Sequence, residues 1–224
     1  MTVSSLIPYH NEGNRPLEVL AKISQITNID EIICIDDGSI DNTSELINQS
    51  FPRVKIIRCK QNRGKSAAIG VGLKQAKGDL LLLADADLKR VNPSQFSQAI
   101  DQIRNNSDID MIIFKRLNDP WIGKRLNGDV FTSGERILKK SDLQKIFSAP
   151  PNGYDLEMAI NRYMLRNKKR CFWTPSDAIN TSRLEKEGTL KGQVNLLKMF
   201  LGQIFRFGPV EWFYQIFLFC KSPI

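Results

Sequence analysis

Leu80-Leu-Leu-Leu-Ala-Asp-Ala-Asp-Leu88 is an unbroken apolar run that ends abruptly in two carboxylates, Asp85 and Asp87. A short run without polar alternation fits a strand buried on both faces, the signature of a parallel sheet covered by helices. If the extended geometry persists to its end, both carboxylates project to the same side. Two acidic groups so close repel each other unless a cation lies between them. Hard divalent cations take carboxylate and phosphate oxygens together, so the pair points to a metal–diphosphate site at a strand end. The plain alternative is a polar turn after a core strand, and what surrounds the motif decides between the two.

Working outward, the first half of the chain alternates strand and helix signals. Residues 3–7 form a short apolar run ended by Pro8. Residues 16–26 are helix-like, with Leu17, Leu20 and Ile23 at helical spacing. A second buried strand spans residues 31–35 and ends in Asp36-Asp37-Gly38-Ser39. Asp41-Asn42-Thr43 offers a helix start. Strands follow at residues 54–58, 80–84 and 111–114, with helices at 65–77 and 93–104, the last beginning on Pro93. Regular alternation with short connections predicts a mainly parallel, doubly wound α/β sheet with right-handed crossovers. Ligands of such sheets lie beyond the carboxyl ends of the strands. The polar clusters at residues 8–12, 36–39 and 85–87 fall at those ends and are expected to converge on one rim.

The second half is less regular. Residues 118–134 hold Asp119-Pro120 and three glycines, and read as a long loop of the kind that often carries function. Residues 133–147 read as a turn followed by a helix, and 154–166 as a further helix. In the C-terminal part, Leu197, Phe200, Leu201, Ile204 and Phe205 mark one face of an amphipathic helix. A second aromatic segment runs through Trp212, Phe213, Ile216 and Phe217. The expected organisation is a catalytic domain over residues 1–191 and amphipathic, aromatic-rich helices over 192–224. Charged residues interrupt that region, so no uncharged stretch reaches the roughly 18 residues of a membrane span. Its helices pack on the core, lie in a membrane interface over residues 196–219, where basic, aromatic-rich helices bind anionic lipid, or form an oligomer contact.

The 224 residues carry a net charge of +8. Such a surface attracts nucleic acid, anionic lipid or phosphorylated substrates. The aromatics are not interleaved with basic residues as in a single-strand-binding surface, so no nucleic-acid partner is expected. Cys34, Cys59, Cys171 and Cys220 have no C-x-x-C spacing and imply neither a disulfide framework nor a zinc site. The first residues enter a strand pattern at once, without a basic leader. The expected location is cytoplasmic, peripheral at the cytoplasmic membrane face.

Other phosphate-binding and nucleophilic motifs fail. Gly64-Lys65-Ser66 lacks the glycine a P-loop needs five residues earlier, where Cys59 stands. Gly70-Val71-Gly72 falls inside a helix pattern and lacks the third glycine of a dinucleotide fingerprint. His10 is the only histidine, and no G-x-S-x-G elbow accompanies it, which argues against hydrolase chemistry.

Read together, Pro8-Tyr-His-Asn-Glu12, Ile35-Asp-Asp-Gly-Ser39, Arg63-Gly-Lys65, Gly78-Asp79 and Asp85-Ala-Asp87 closely resemble the family 2 glycosyltransferases of GT-A fold, in order and spacing. The nearest subgroup is the polyprenyl-phosphate sugar synthases. The strong resemblance covers residues 3–116. A weaker one continues through Ser133-Gly-Glu-Arg136, Gly153-Tyr-Asp-Leu-Glu-Met158 and Ser182-Arg183…Gly188-Thr-Leu-Lys191.

The resemblance implies an inverting transfer of a sugar from a nucleotide-diphosphate donor. Pro8, His10 and Glu12 would line the nucleotide pocket, with His10 standing where the family usually has tyrosine. Asp37 would accept hydrogen bonds from the base, and Lys65 would neutralise the donor. Asp85, Ala86 and Asp87 would meet the diphosphate, the two aspartates holding Mg²⁺ or Mn²⁺ with Asp87 as the direct ligand. Arg116 matches a basic donor-side residue. Arg136 and Arg183 could grip an acceptor phosphate bidentately. A polyprenyl phosphate needs no general base, whereas a hydroxyl acceptor does, for which Asp129, Asp155 and Glu157 are candidates. Three other readings remain: a soluble family 2 enzyme acting on a glycan or small metabolite, a catalytically silent nucleotide-sugar-binding module, and a nucleotidyltransferase. The last would need a glycine-rich phosphate loop after the first strand, and that loop is absent.

Overall fold

The computed structural model describes residues 1–116, 130, 133–149, 156–180, 202, 204, 205, 208–210, 214, 215, 219, 220 and 222–224. Strands β1 (Val3–Tyr9), β2 (Glu31–Asp36), β3 (Lys55–Arg58) and β4 (Leu80–Leu83) alternate with helices α1 (Arg15–Ile23), α2 (Thr43–Ser50) and α3 (Lys65–Gln75). Then come β5 (Leu88–Lys89), α4 (Pro93–Asn105), β6 (Met111–Arg116), β7 (Arg136–Lys139), α5 (Lys140–Ile146), α6 (Leu156–Arg166), β8 (Cys171–Ser176) and β9 (Ile179–Asn180).

Seven strands form one sheet in the order β3-β2-β1-β4-β7-β6-β8. β1 through β4 pair in parallel, β7 is antiparallel to both its neighbours, and β6 pairs in parallel with β8. The expectation of a mainly parallel α/β sheet is met. β5 and β9 form a separate two-stranded ribbon.

The apolar runs are continuous because both faces of the sheet are covered, and the strands' period of two divides them between two cores. Leu80 and Leu82 of β4 pack in one layer with Ile112, Phe114 and Ile137, beneath Val19, Leu20 and Ile23 of α1 and Phe96 and Ile100 of α4. Leu81 and Leu83 pack in the opposite layer with Met111, Ile113 and Leu138, beneath Ala68 and Ile69 of α3 and Ile160 and Met164 of α6. Phe96 of α4 stacks on Phe114 of β6 with ring centroids 4.2 Å apart. The Asn92 side chain accepts a 3.1 Å bond from Ser94 N–H and caps α4, as Pro93 in its first turn anticipates.

Three elements depart from the expectations. Residues 136–139, read as part of a turn before a helix, form the strand β7, and the helix begins only at Lys140. β8 had no clear signal, because as an edge strand it is half-buried and ends in Pro175 and Ser176. The C-terminal residues cover that edge: Trp173 N–H donates to Ser222 O (3.1 Å) and Ile224 N–H to Trp173 O (2.9 Å). The long loop expected at 118–134 and the helices expected at 197–205 and 212–217 lie largely outside the described residues. Of the C-terminal residues that are described, Gln215 and Phe219 are buried, whereas Phe205, Val210 and Tyr214 are exposed.

Candidate active site

The site is built on the rim where β1, β2, β4 and β6 end and antiparallel β7 begins. Register places Tyr9 beside Asp36, and Leu83 and Ile113 on either side of Arg136. The segments that follow β1, β2, β4 and β6, and the segment that precedes β7, therefore meet there.

The two aspartates ending β2 have different tasks. Asp36 is buried and internal: its Oδ1 accepts from Ser39 N–H (2.7 Å), and its Oδ2 accepts from the Ser44 hydroxyl, which also bonds the Tyr9 hydroxyl (2.7 Å). Asp37 accepts backbone N–H bonds from Arg63 (3.0 Å) and Gly64 (2.7 Å), so it sets the entry to α3. Asp37 is as buried as Asp36, and Arg63 N–H also lies 3.2 Å from its Oδ2, so three of a carboxylate's roughly four acceptor positions are taken by the chain itself. Gly38, which follows them, cannot carry a side chain. Its φ is +76°, and a Cβ would stand 2.6 Å from the Gln61 carbonyl carbon.

Beyond β1, His10 is partly exposed, and its Nε2 lies 3.0 Å from Asn11 Nδ2, while its buried Nδ1 has no hydrogen-bond partner. Pro8 is buried in β1. Glu12 pairs with Arg15 at 2.8 Å.

Lys65, the first residue of α3, crosses the rim. Its Nζ lies 2.6 Å from Asp85 Oδ1 and 2.8 Å from Glu157 Oε1 of α6. Burial works against the ammonium charge, but the two carboxylates more than offset it and hold Lys65 above its usual titration range. Gly134 closes over this trio, where a Cβ would stand 2.6 Å from Lys65 Nζ and 2.7 Å from Asp85 Oδ2. Asp87 is partly exposed beyond buried Ala86.

Next to this trio lies a residue that the sequence reading did not single out. Glu135 is buried; its Oε2 accepts from the Ser133 hydroxyl (3.2 Å) and lies 3.6 Å from an Arg116 guanidinium nitrogen, while its Oε1 has no hydrogen-bond partner. Burial raises its pKa from the ordinary 4.5 to about 7; Arg116 opposes this and Asp85 adds to it. The available signal was an acidic residue between the glycine and arginine of Ser133-Gly-Glu-Arg136, leading into the apolar strand.

Arg136 requires a correction. Instead of facing a phosphate, it is fully buried on the β7 face that carries Leu138, donating to Asn161 Oδ1 (2.9 Å) and to Ser133 O. A guanidinium enclosed by α6 and its own turn is a structural cation rather than an acceptor grip. Asp129, Asp155 and Arg183 lie outside the described residues. The structure thus brings Lys65, Asp85, Glu157, Glu135 and Arg116 together.

Among the described residues, no group of three or more His, Cys, Asp or Glu side chains is arranged to hold a metal. Asp85 and Asp87 offer two hard carboxylates at an accessible rim. That donor set suits Mg²⁺ or Mn²⁺ completed by phosphate oxygens from a substrate, and does not suit a resident structural ion.

Comparison with known proteins agrees with this fold. The chain superposes on glucosyl-3-phosphoglycerate synthase from Mycobacterium tuberculosis, crystallised with Mn²⁺ and UDP-glucose, with a TM-score of 0.69 at 18% identity, covering 90% of this chain and 78% of that one. A second crystal structure of that enzyme, in complex with Mn²⁺, UDP and phosphoglyceric acid, gives 0.67 at 20% identity, over 88% and 78% of the two chains. The fold is therefore GT-A. Among curated sequences, a dolichol-phosphate mannosyltransferase from Pyrococcus furiosus is 37% identical over 49% of this chain and 32% of its own length. An undecaprenyl-phosphate 4-deoxy-4-formamido-L-arabinose transferase from Aeromonas hydrophila is 30% identical over 54% and 40%. An uncharacterized glycosyltransferase from Synechocystis sp. is 32% identical over 70% and 49%. The matched stretch thus spans between a third and a half of each of these relatives. Residues 4–167 match the family described as Glycosyl transferase family 2, and the chain belongs to that family.

Proposed function

We propose that this chain transfers a sugar, with inversion, from a nucleotide-diphosphate donor to a polyprenyl phosphate, with the help of Mg²⁺ or Mn²⁺. The observation that carries the reading is the juxtaposition of Asp85, Lys65 and Arg116 on a GT-A rim beside Asp87 and the His10–Asp37 region.

In this reading the base and ribose lie over the ends of β1 and β2, with Pro8, His10, Glu12 and Asp37 lining the pocket. The diphosphate lies over Asp85, Ala86 and Asp87. Asp87, with Asp85, would hold the divalent ion. Bound there, the ion stabilises the charge that develops on the departing nucleoside diphosphate. Lys65 and Arg116 add positive charge on the same side. An acceptor oxygen attacks the sugar's anomeric carbon from the opposite face as the bond to the diphosphate breaks. A phosphate acceptor arrives already ionised, so no residue has to remove a proton.

Two features support the lipid acceptor besides the relatives' names. The chain carries a net +8 charge. A cavity of about 550 Å³ opens between α6 and the C-terminal segment, where Arg162 and Arg166 meet Pro209, Val210 and Tyr214, with Val210 and Tyr214 largely exposed. Basic and aromatic groups side by side suit a peripheral contact with anionic lipid. Among the described residues no helix is long and apolar enough to cross a membrane.

One observation favours a hydroxyl acceptor instead: the buried Glu135 carboxylate beside Asp85 has an oxygen, Oε1, with no hydrogen-bond partner, and burial raises its affinity for a proton. Sugar transfer from UDP-glucose and GDP-mannose to undecaprenyl or dolichyl phosphate in detergent separates the two readings. The first predicts a lipid-linked product. Metal-dependent donor hydrolysis with no lipid product leaves the donor site standing and refutes the lipid acceptor.

A further inference from the structure

No C-x-x-C spacing links the four cysteines, but the fold brings two of them together. Cys171 begins β8, and Cys220 belongs to the C-terminal segment that covers the same sheet edge. Trp173 bridges Pro223 in the parallel sense; its N–H donates to Ser222 O (3.1 Å), and its carbonyl accepts from Ile224 N–H (2.9 Å). Cys171 stands two residues before Trp173, and Cys220 two before Ser222, so both lead into this pairing. Measured from the Trp173–Pro223 bridge they are offset by one residue, and in plain extended backbone their side chains would turn to opposite faces. Cys220 is not extended. Its φ is +50°, in the left-handed region that side chains rarely adopt. Its side chain accordingly lies in the layer of Met111, Leu138 and Ile160, the layer against which Cys171 also packs. Both thiols are within electrostatic reach of the buried Arg136 guanidinium, and Cys171 is within reach of Cys220.

We infer that Cys171 and Cys220 form a disulfide site, and that oxidation there fastens the C-terminal segment covalently across the edge of the sheet. The co-reactant is a small disulfide such as oxidised glutathione. One cysteine thiolate attacks it and releases one small thiolate. The other attacks the mixed disulfide at the cysteine sulfur and releases the second. Two electrons pass to the reagent, and the two cysteine protons end on the released thiols. In the closed molecule this is slow: burial pushes the Cys220 thiol up to about 12 and raises Cys171 as well, although Arg136 opposes both shifts and Lys115 opposes the first. The step proceeds when the end of the chain lifts from β8, and Ser222, Pro223 and Ile224, which make the backbone pairing with Trp173, are exposed. The new bond closes a ring of about 50 residues, which takes in the segment carrying exposed Phe205, Val210 and Tyr214. The site is thus a redox-operated latch on that segment, whatever sugar or acceptor the rim handles.

The test uses the whole chain carrying Cys59→Ser, because Cys59 is partly exposed and would react on its own account; three thiols then remain. Prolonged incubation with oxidised glutathione, without denaturant, should leave one free thiol of the three, in a monomer with no glutathione attached. Digestion should yield two peptides joined through Cys171 and Cys220. The melting temperature should rise by roughly 5–10 °C and fall back on reduction. Adding Cys171→Ser or Cys220→Ser should abolish both changes. Three thiols still free after incubation would overturn the inference, as would a stable glutathione adduct at either cysteine. A melting temperature that oxidation leaves unchanged or lowers would overturn it too, since the bond would then not fit the folded chain. If a serine variant at position 171 or 220 fails to fold, the thiol count, the peptide map and the melting temperature of the Cys59→Ser protein decide the matter by themselves.

Discussion

Replacing Glu135 by glutamine should flatten the dependence of folding stability on pH. In the folded protein this carboxyl lies buried between Ser133, Arg116 and Asp85, and its pKa is raised from 4.5 to about 7. The folded state therefore binds the proton more tightly than the unfolded chain. Stability from this group is fully present below about pH 4.5, declines as pH rises, and is lost once pH passes about 7. At about 1.4 kcal/mol per pKa unit, the shift corresponds to on the order of 3 kcal/mol between those limits. Glutamine keeps the shape and one acceptor oxygen but cannot ionise. Urea unfolding of wild type and Glu135→Gln at intervals from pH 5 to 8.5 measures the effect, and the difference between the two proteins cancels the groups they share. The variant should gain on the wild type by up to about 3 kcal/mol as pH rises across that range. A difference that stays constant with pH would refute the reasoning, since it would mean that Glu135 is already ionised at pH 5.

Other substitutions probe the rim. Gly134→Ala should reduce donor turnover while leaving thermal unfolding little changed, because its Cβ would push aside the ends of the Lys65 and Asp85 side chains rather than backbone; activity and thermal unfolding together check this. Ser44→Ala should cost about 1–3 kcal/mol in urea unfolding, since it strips a partner from both buried Asp36 and Tyr9. Arg136→Met should cost about as much or more by leaving Asn161 Oδ1 and the Ser133 carbonyl without their donor. Replacing Phe205 and Tyr214 together with glutamate should abolish sedimentation with vesicles containing anionic lipid while leaving the melting temperature within a few degrees of wild type, since both side chains are exposed.

Much of the first 116 residues was legible before the structure, for a physical reason. In a sheet covered on both faces, each strand reads as an apolar run, and each run here is bounded by a turn or a cap. The rim was legible too, because the polar clusters fall where the runs stop. Contacts between distant parts of the chain were not. β7 hides in Arg136-Ile-Leu-Lys139, four residues headed by an arginine, which is buried only because Asn161 and the Ser133 carbonyl receive it. β8 is stabilised by β6 on one side and by the last residues of the chain on the other, across dozens of residues. Within the site, Lys65 was recognised as a cation, but its capture by Asp85 and Glu157 depends on α6 arriving from 92 residues away. Glu135 escaped notice because an acidic residue beside a glycine reads as a surface turn until its burial is seen.

The central claim, a nucleotide-sugar site on this rim that works with a divalent ion, is tested most directly by donor turnover. Consumption of UDP-glucose and GDP-mannose with Mn²⁺ should be followed for wild type, for wild type with chelator, and for Asp87→Ala confirmed to be folded. The account predicts turnover of one donor by the wild type, abolished by chelator and by the substitution alike. Undiminished turnover by Asp87→Ala, or turnover indifferent to metal removal, would contradict it.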